Sequence, residues 1–206
     1  GIPLRLAADP LPASVTRALA GTESVTLPAV PAMWKAWRDT KVLTPAIKLA
    51  ISAGAPLSLE LETSIHQQWG LKVHNFYGSS ECGGIAYDRS EHPRPQENLA
   101  GTALQGVVLR VNESGRLEVT SAAVGTGYWP EDHEDLAAGK FSTTDLVRLG
   151  QHEEIYLEGR ATEVINVAGR KVNPAEIEAH LQRHPAVKCC LVYGQPSRDP
   201  ARCEEI

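Results

Sequence analysis

The sequence predicts a mixed α/β fold in three parts. An α/β layer covers residues 1–95, a β-rich unit covers 96–160, and the start of a small α+β unit covers 161–206. Three observations carry this. Residues 47–69 read strand, small-residue loop, helix, the order found in parallel α/β sheets. After Asp88 the composition turns to short β-patterned runs around turn signals such as Glu113-Ser114-Gly115. Near the C-terminal end, Asn173-Pro174 reads as the cap and first position of a helix.

Length and composition bound what the chain can do. Its 206 residues can bury one substantial core, or one core and a small appended unit. Hydrophobic content of 42% and charged content of 22% are ordinary for a soluble globular protein. A net charge of −5 argues against nucleic acid or an anionic membrane as the main partner. No apolar run reaches membrane-span length, and the short, interrupted opening of residues 1–9 is not a signal peptide. With no initiator Met, the chain reads as a fragment or a processed product. The four cysteines, Cys82, Cys189, Cys190 and Cys203, make no Cys-x-x-Cys pair. They read as reduced and mostly buried in a cytoplasmic protein, and their spacing gives a zinc site no support.

The elements follow in order. Residues 12–20 have helical composition after a proline start, and 25–30 are short and strand-like. Residues 31–37 place Met33, Trp34 and Trp37 at helical spacing, which predicts core packing. A strand over 47–51 leads through the loop 52–57 to a helix over 58–69, stopped at Gly70. A short strand over 71–74 then feeds the stretch Asn75-Phe76-Tyr77-Gly78-Ser79-Ser80-Glu81-Cys82-Gly83-Gly84. Taken alone, that stretch is either a polar hairpin turn or a site where hydroxyls hold a phosphate and a carboxylate holds magnesium. Residues 89–98 are polar and proline-containing, and read as a surface loop. Residues 106–112 with 116–121, and 146–149 with 154–157, read as hairpins. A strand over 164–167, a turn at Gly169, a helix from Asn173 bounded by Pro185, and a closing strand over 186–193 complete the reading. Ile177 and Leu181 would make the apolar stripe of that helix, with Glu176 placed to complete a capping box.

Tyr77-Gly78-Ser79-Ser80-Glu81 resembles the Tyr-Gly-x-Thr-Glu signature of the adenylate-forming enzymes, which include acyl- and aryl-CoA ligases, luciferases and peptide-synthetase adenylation domains. The resemblance implies that Tyr77 packs on the adenine, Ser80 binds the α-phosphate, and Glu81 helps to hold Mg2+. Gly54, Ala55 and Pro56 are similar to the family's Gly-Gly-Ala-Pro-Leu loop, whose backbone lines the adenine side. The resemblance also implies that Gly78 belongs to the same nucleotide site. Asp145 matches an Asp that binds both ribose hydroxyls, with Thr144 standing where the family has Gly. Arg160 matches an Arg that contacts ribose or phosphate. The segment Gly125-Thr126-Gly127-Tyr128-Trp129 resembles one that is chiefly structural, so no catalysis is assigned to it.

Residues 161–178 resemble the family's hinge and the start of its C-terminal domain, with Thr162 at the pivot and Gly169 lining the pantetheine approach. Their wording, Ile165-Asn166-Val167-Ala168-Gly169-Arg170-Lys171-Val172-Asn173-Pro174, is closer to CoA ligases than to peptide-synthetase domains. The residues near the acyl group would be Tyr77, Gly83, Gly84 and Ile85. The resemblance thus implies a large adenylation domain, present in its C-terminal part, followed by the start of a small C-terminal domain. It implies ATP or AMP and Mg2+ as cofactors, with a carboxylic acid and CoA as co-substrates. A carrier protein as acceptor, or a non-catalytic nucleotide-binding module, are the alternatives. The Pro-Lys phosphate loop and the C-terminal Gly-Lys of the family are not in the sequence, so the chain alone is expected not to catalyse adenylation at a useful rate.

Overall fold

The computed structural model describes residues 2–130, 134–137, 139–161, 163–168, 170–197 and 204–206. Its frame is a ten-stranded mixed sheet in the order β1-β2-β3-β4-β5-β10-β9-β7-β6, with β8 pairing β9. The first three strands, β1 (Val25–Ala29), β2 (Ile47–Ser52) and β3 (Val73–Ser79), run parallel. They are linked by α2 (Pro31–Asp39) and α3 (Leu59–Trp69), with α1 (Pro12–Leu19) ahead of them. Local chemistry sets these bounds. Proline opens α1 and α2 in their first turn. Ser58 caps α3 by accepting from the Leu61 N–H, and Gly70 at φ 63° ends it in the left-handed region.

The remaining strands are antiparallel: β4 (Gly83–Tyr87), β5 (Leu99–Ala103), β6 (Val108–Val111), β7 (Arg116–Thr120), β8 (Leu136–Ala137), β9 (Lys140–Leu149) and β10 (Glu154–Arg160). β3 is the strand that joins the two regimes. Its first half pairs in parallel with Ala50, Ile51 and Ser52, and its second half pairs antiparallel with β4. The strand expected over 71–74 therefore runs on to Ser79, and the signature stretch is a β-hairpin. A register shift falls between Tyr77 and Gly78. There the backbones approach so closely that a Cβ on Gly78 would lie 2.3 Å from the Gly83 carbonyl oxygen, so no larger residue fits.

Two apolar clusters flank this strand. One gathers Trp34, Trp37, Leu57, Leu61, Ile65 and Val73 between helices and parallel strands. Trp34 and Trp37 meet edge to face with centroids 5.3 Å apart, so the helical spacing of the tryptophans is indeed a core feature. The other gathers Cys82, Ile85, Leu117, Val119, Phe141, Val147 and Ile155 inside the antiparallel strands.

The loop over 89–98 departs from its expected surface role at one residue. Arg94 is buried, and it belongs to a charge network with Glu62, Lys72 and Asp88. Arg94 Nε meets Glu62 Oε2 at 2.8 Å, Lys72 pairs with Glu62, and Lys72 Nζ reaches Asp88 Oδ2 at 2.6 Å. Two cations and two carboxylates balance, which is what makes burial of four charges tolerable. Burial works to raise the Asp88 pKa, but Lys72 and the Ser90 hydroxyl and N–H outweigh it and hold the carboxyl below its usual range.

After β10 the chain makes a hairpin of β11 (Ile165–Val167) and β12 (Arg170–Val172), then α4 (Pro174–Leu181). Asn173 caps α4 by accepting from the Ala175 N–H. Glu176, expected to reach back to the cap, lines the large cleft described below. The closing strand expected over 186–193 does not form. Side-chain and helix groups take up its backbone and thiol: the Val192 N–H donates to Glu178 Oε1 at 2.7 Å and Cys190 Sγ to the Glu178 carbonyl at 3.5 Å. Leu191 and Tyr193 are 78% and 57% exposed, so the apolar run has no face to bury against. Short strands β13 (Gln195–Pro196) and β14 (Glu204–Glu205) pair instead. The cysteines follow suit: Cys82 is buried, Cys189 is exposed rather than buried, Cys190 is half-buried, and all three are free thiols. Cys203 lies outside the described residues. Among the described residues no helix is long and apolar enough to cross a membrane, and no group of three or more His, Cys, Asp or Glu could hold a metal ion.

Candidate functional site

A broad open cleft of about 1960 Å³ runs along the carboxyl ends of β2 and β3, the middle of β9 and the end of β10. In open α/β sheets this is where ligands sit, because the loops leaving the strands diverge there. Eight of the residues singled out in the sequence share its wall: Gly54, Ala55, Pro56, Tyr77, Gly78, Glu81, Asp145 and Arg160. Ser80 stands exposed in the β3–β4 turn, and its neighbour Ser79 takes the place on the wall. Gly169 and Thr162 lie outside the described residues. Of the residues expected near an acyl group, Ile85 is fully buried in the antiparallel core, and a Cβ on Gly84 would meet Phe76 and Leu104 at 2.6 Å.

Asp145 is the centre of the cleft's polar chemistry. It projects from β9, where the register pairs it with Arg160 of β10. Its Oδ1 accepts from Arg160 Nε at 3.2 Å and its Oδ2 from the Tyr77 hydroxyl at 2.5 Å. The Asp145 N–H donates to Thr143 Oγ1 at 3.1 Å, which fixes the backbone beneath the carboxylate. Burial, and next the charge of Asp145, push the Tyr77 pKa far up, so the phenol stays neutral and donates. Hydrogen bonds to an ionised group contribute about 1.5–3 kcal/mol each. A carboxylate offers about four lone-pair sites, so two bonds leave capacity for a further pair of hydroxyls. Thr144, standing where Gly was expected, lies in regular β9 without a positive φ, and its carbonyl accepts from the Ala161 N–H at 2.8 Å. The strand needs no glycine there. Positions on this wall that do favour glycine include Gly54, at φ 84° in the loop after β2, and Gly159, at φ 133° in β10.

Glu81 stands at the other end of the hairpin. Burial works to raise its pKa, but its own N–H and the hydroxyls of Ser79 and Tyr128 outweigh that and hold it ionised below the ordinary value. The Tyr128 hydroxyl donates to Glu81 Oε1 at 3.0 Å. Tyr128 was assigned no role in the sequence, and it lies 47 residues from its partner, beyond any local pattern. Arg94 was likewise hidden, as one cation between two prolines in a polar loop. The small unit contributes Lys171, Asn173 and Glu176 to the same cleft.

Comparison with known proteins is consistent with this geometry. The family model described as AMP-binding enzyme matches residues 4–129. A long-chain-fatty-acid–CoA ligase of Mycobacterium bovis is 33% identical over 152 residues, covering 71% of this chain and 25% of the relative. A probable 2-succinylbenzoate–CoA ligase of Mycobacterium tuberculosis is 38% identical over 130 residues, covering 61% and 31%. The ATP-bound crystal structure of MatB from Rhodopseudomonas palustris superposes with a TM-score of 0.77 at 26% identity, covering 94% of this chain and 41% of that one. The chain thus spans about a quarter to a third of these two curated relatives. With the family model covering more than half of its length and the cleft lying where that fold binds ligands, this chain belongs to the AMP-binding, adenylate-forming enzymes.

Proposed function

We propose that this chain carries the nucleotide half-site of an ATP-dependent carboxylic acid:CoA ligase. In the reaction a substrate carboxylate oxygen attacks the α-phosphorus of ATP, and pyrophosphate leaves as the acyl-adenylate forms. The thiol sulfur of CoA then attacks the acyl carbon, loses its proton, and expels AMP. The observation that supports this most is Asp145, held between Tyr77 and Arg160 on the cleft wall beside the Gly54–Pro56 loop.

Each residue has a part in that scheme. Asp145 accepts the two ribose hydroxyls, and Arg160 steadies it and faces the phosphate side. Tyr77 offers its ring to the adenine while its hydroxyl orients Asp145. Gly54, Ala55 and Pro56 give the base a backbone wall, and the backbone of Gly78 lets the phosphates come near. The α-phosphate would take a hydroxyl from this turn: Ser80, as the family pattern implies, or its neighbour Ser79, which stands on the cleft wall. Glu81, ionised and reaching the cleft, fits Mg2+, which takes one or two carboxylates together with substrate phosphates. Mg2+ would neutralise charge developing on the phosphates. Gly169 would line the approach of the CoA arm, across a hinge at Thr162. The curated relatives named above are CoA ligases, which favours CoA over a carrier protein as acceptor. A cytoplasmic setting goes with the free thiols of Cys82, Cys189 and Cys190. The division at residues 95 and 160 would separate the nucleotide wall, the ribose-binding strands and the mobile small domain.

The test is a titration with AMP and with an acyl-sulfamoyl adenosine, a stable mimic of the acyl-adenylate. The reading predicts that both bind, and that the mimic binds at least tenfold tighter. Failure of both to bind at millimolar concentration would contradict it.

A further inference from the structure

The loop over 89–98 sends one side chain inward, and that side chain reaches the cleft wall, which it helps to line. Arg94 is 3% exposed. Its Nε and its backbone N–H both donate to the Glu62 carboxylate, at 2.8 Å and 3.0 Å. Nη1 donates to the carbonyls of Glu97 and Leu99 at 3.0 Å and 2.7 Å, and Nη2 donates to the carbonyl of Leu57 at 2.6 Å. Leu57 closes the loop that begins at Gly54, and Glu97, Asn98 and Leu99 line the same cleft. The Asn98 carbonyl in turn accepts from the Leu157 N–H at 2.9 Å, three residues before Arg160.

One guanidinium therefore holds two cleft walls at once. The first is the loop between β2 and α3, and the second is the entry to β5, which is tied to β10. The Gly54–Pro56 stretch is exposed and contains a left-handed glycine, so its backbone has little of its own to fix it. At its ends, the Ala53 N–H donates to the Ala29 carbonyl and Ser58 caps α3. Only a planar fork with several fixed donors can span a carboxylate and three carbonyls. A lysine keeps the charge for Glu62 and loses the fork.

We infer that Arg94 is a positioning residue, fixing the wall formed by residues 54–57 against the segment 97–99 and so setting where a nucleotide base packs. The clamp is a property of the unliganded chain, and its consequence for the base rests on the nucleotide reading above.

Amide hydrogen exchange on the whole 206-residue chain, with and without Arg94→Lys, tests the clamp without any ligand. The amide of Ala53, which donates to the Ala29 carbonyl at the start of the loop, and those of Leu99 and Leu157 at the second wall are expected to exchange at least tenfold faster in the variant, while Val119 and Val147 in the antiparallel strands keep their protection. AMP affinity should fall about tenfold in parallel. Uniform acceleration at all sites, or none at the loop, overturns the clamp. A loosened loop with unchanged AMP affinity overturns its role in placing the base. If the wild-type chain binds no AMP, the nucleotide reading and the base-placing role fall together, and the exchange result alone decides the clamp. Should Arg94→Lys fail to fold, Glu62→Gln keeps the volume and weakens one anchor. The same amides should then exchange about threefold faster, and unchanged exchange there overturns the clamp.

Discussion

The segment before β5 and the segment after β10 treat polar and apolar groups in opposite ways. In the first, four charged side chains are buried and paired, and Glu62 is 0% exposed beneath the cleft. In the second, α4 buries only Pro174, while Leu181, Leu191 and Tyr193 face outward. Both segments contribute to one cleft, and the first contributes walls clamped by a buried side chain, at residues 54–57 and 97–99. The difference teaches that rigidity at this site comes from buried polar satisfaction in the α/β part. The small unit brings Lys171, Asn173 and Glu176 on a two-stranded hairpin and one short helix, a combination with little core of its own.

Substitutions should reproduce this contrast in order of size. Glu62→Ala strands Arg94 and Lys72 as buried cations, and should cost about 3–5 kcal/mol in urea denaturation. A loss below about 1 kcal/mol would show that water already screens the network, and the contrast would collapse. Asp88→Asn should cost about 2–3 kcal/mol at pH 7, less because Lys72 keeps Glu62. Its pH dependence has a definite sign. The folded-state pKa of Asp88 lies below the ordinary 3.8, so its contribution is complete above the usual carboxylate range. As the pH falls through the lowered folded value, the gap between wild type and variant should close; a gap that widens in acid would contradict the pairing.

The outer segment should respond more weakly. Asn173→Ala removes the α4 cap and the bond from the Asn173 side-chain amide to the Glu158 carbonyl, and should cost about 1 kcal/mol, read as lost helicity or faster exchange in 174–181 and at the end of β10. Leu191→Ser should change global stability by less than about 0.5 kcal/mol, because the side chain is already in solvent. A larger loss would mean that Leu191 is covered in solution and that the outer segment is better packed than its exposure indicates.

The same contrast explains what the sequence could reveal. Strand, loop and helix over 47–69 were legible because Ser58, Gly70 and the apolar spacing of Leu61 and Ile65 act within a few residues. The β9–β10 hairpin was legible for the same reason, and Asp145 and Arg160 with it through the family pattern. Arg94 and Tyr128 were not, since their partners lie 32 and 47 residues away and no spacing rule joins them. The strand expected over 186–193 fails for the converse reason. Its β-branched and apolar composition is a local cue, but a strand needs a neighbouring edge, and the backbone there is taken by Glu178. Local cues located elements where a neighbouring edge or core was also present; satisfaction across the sheet was not readable.

The central claim is that Asp145, flanked by Tyr77 and Arg160, is where this cleft grips a ribose. Calorimetric titration with AMP, repeated with Asp145→Ala, tests it most directly. The account predicts micromolar-to-millimolar binding by the wild-type chain and a loss of at least about 30-fold in the variant, the equivalent of roughly 2 kcal/mol for hydrogen bonds to an ionised group. AMP binding that survives the substitution unchanged would place the nucleotide elsewhere and contradict the account.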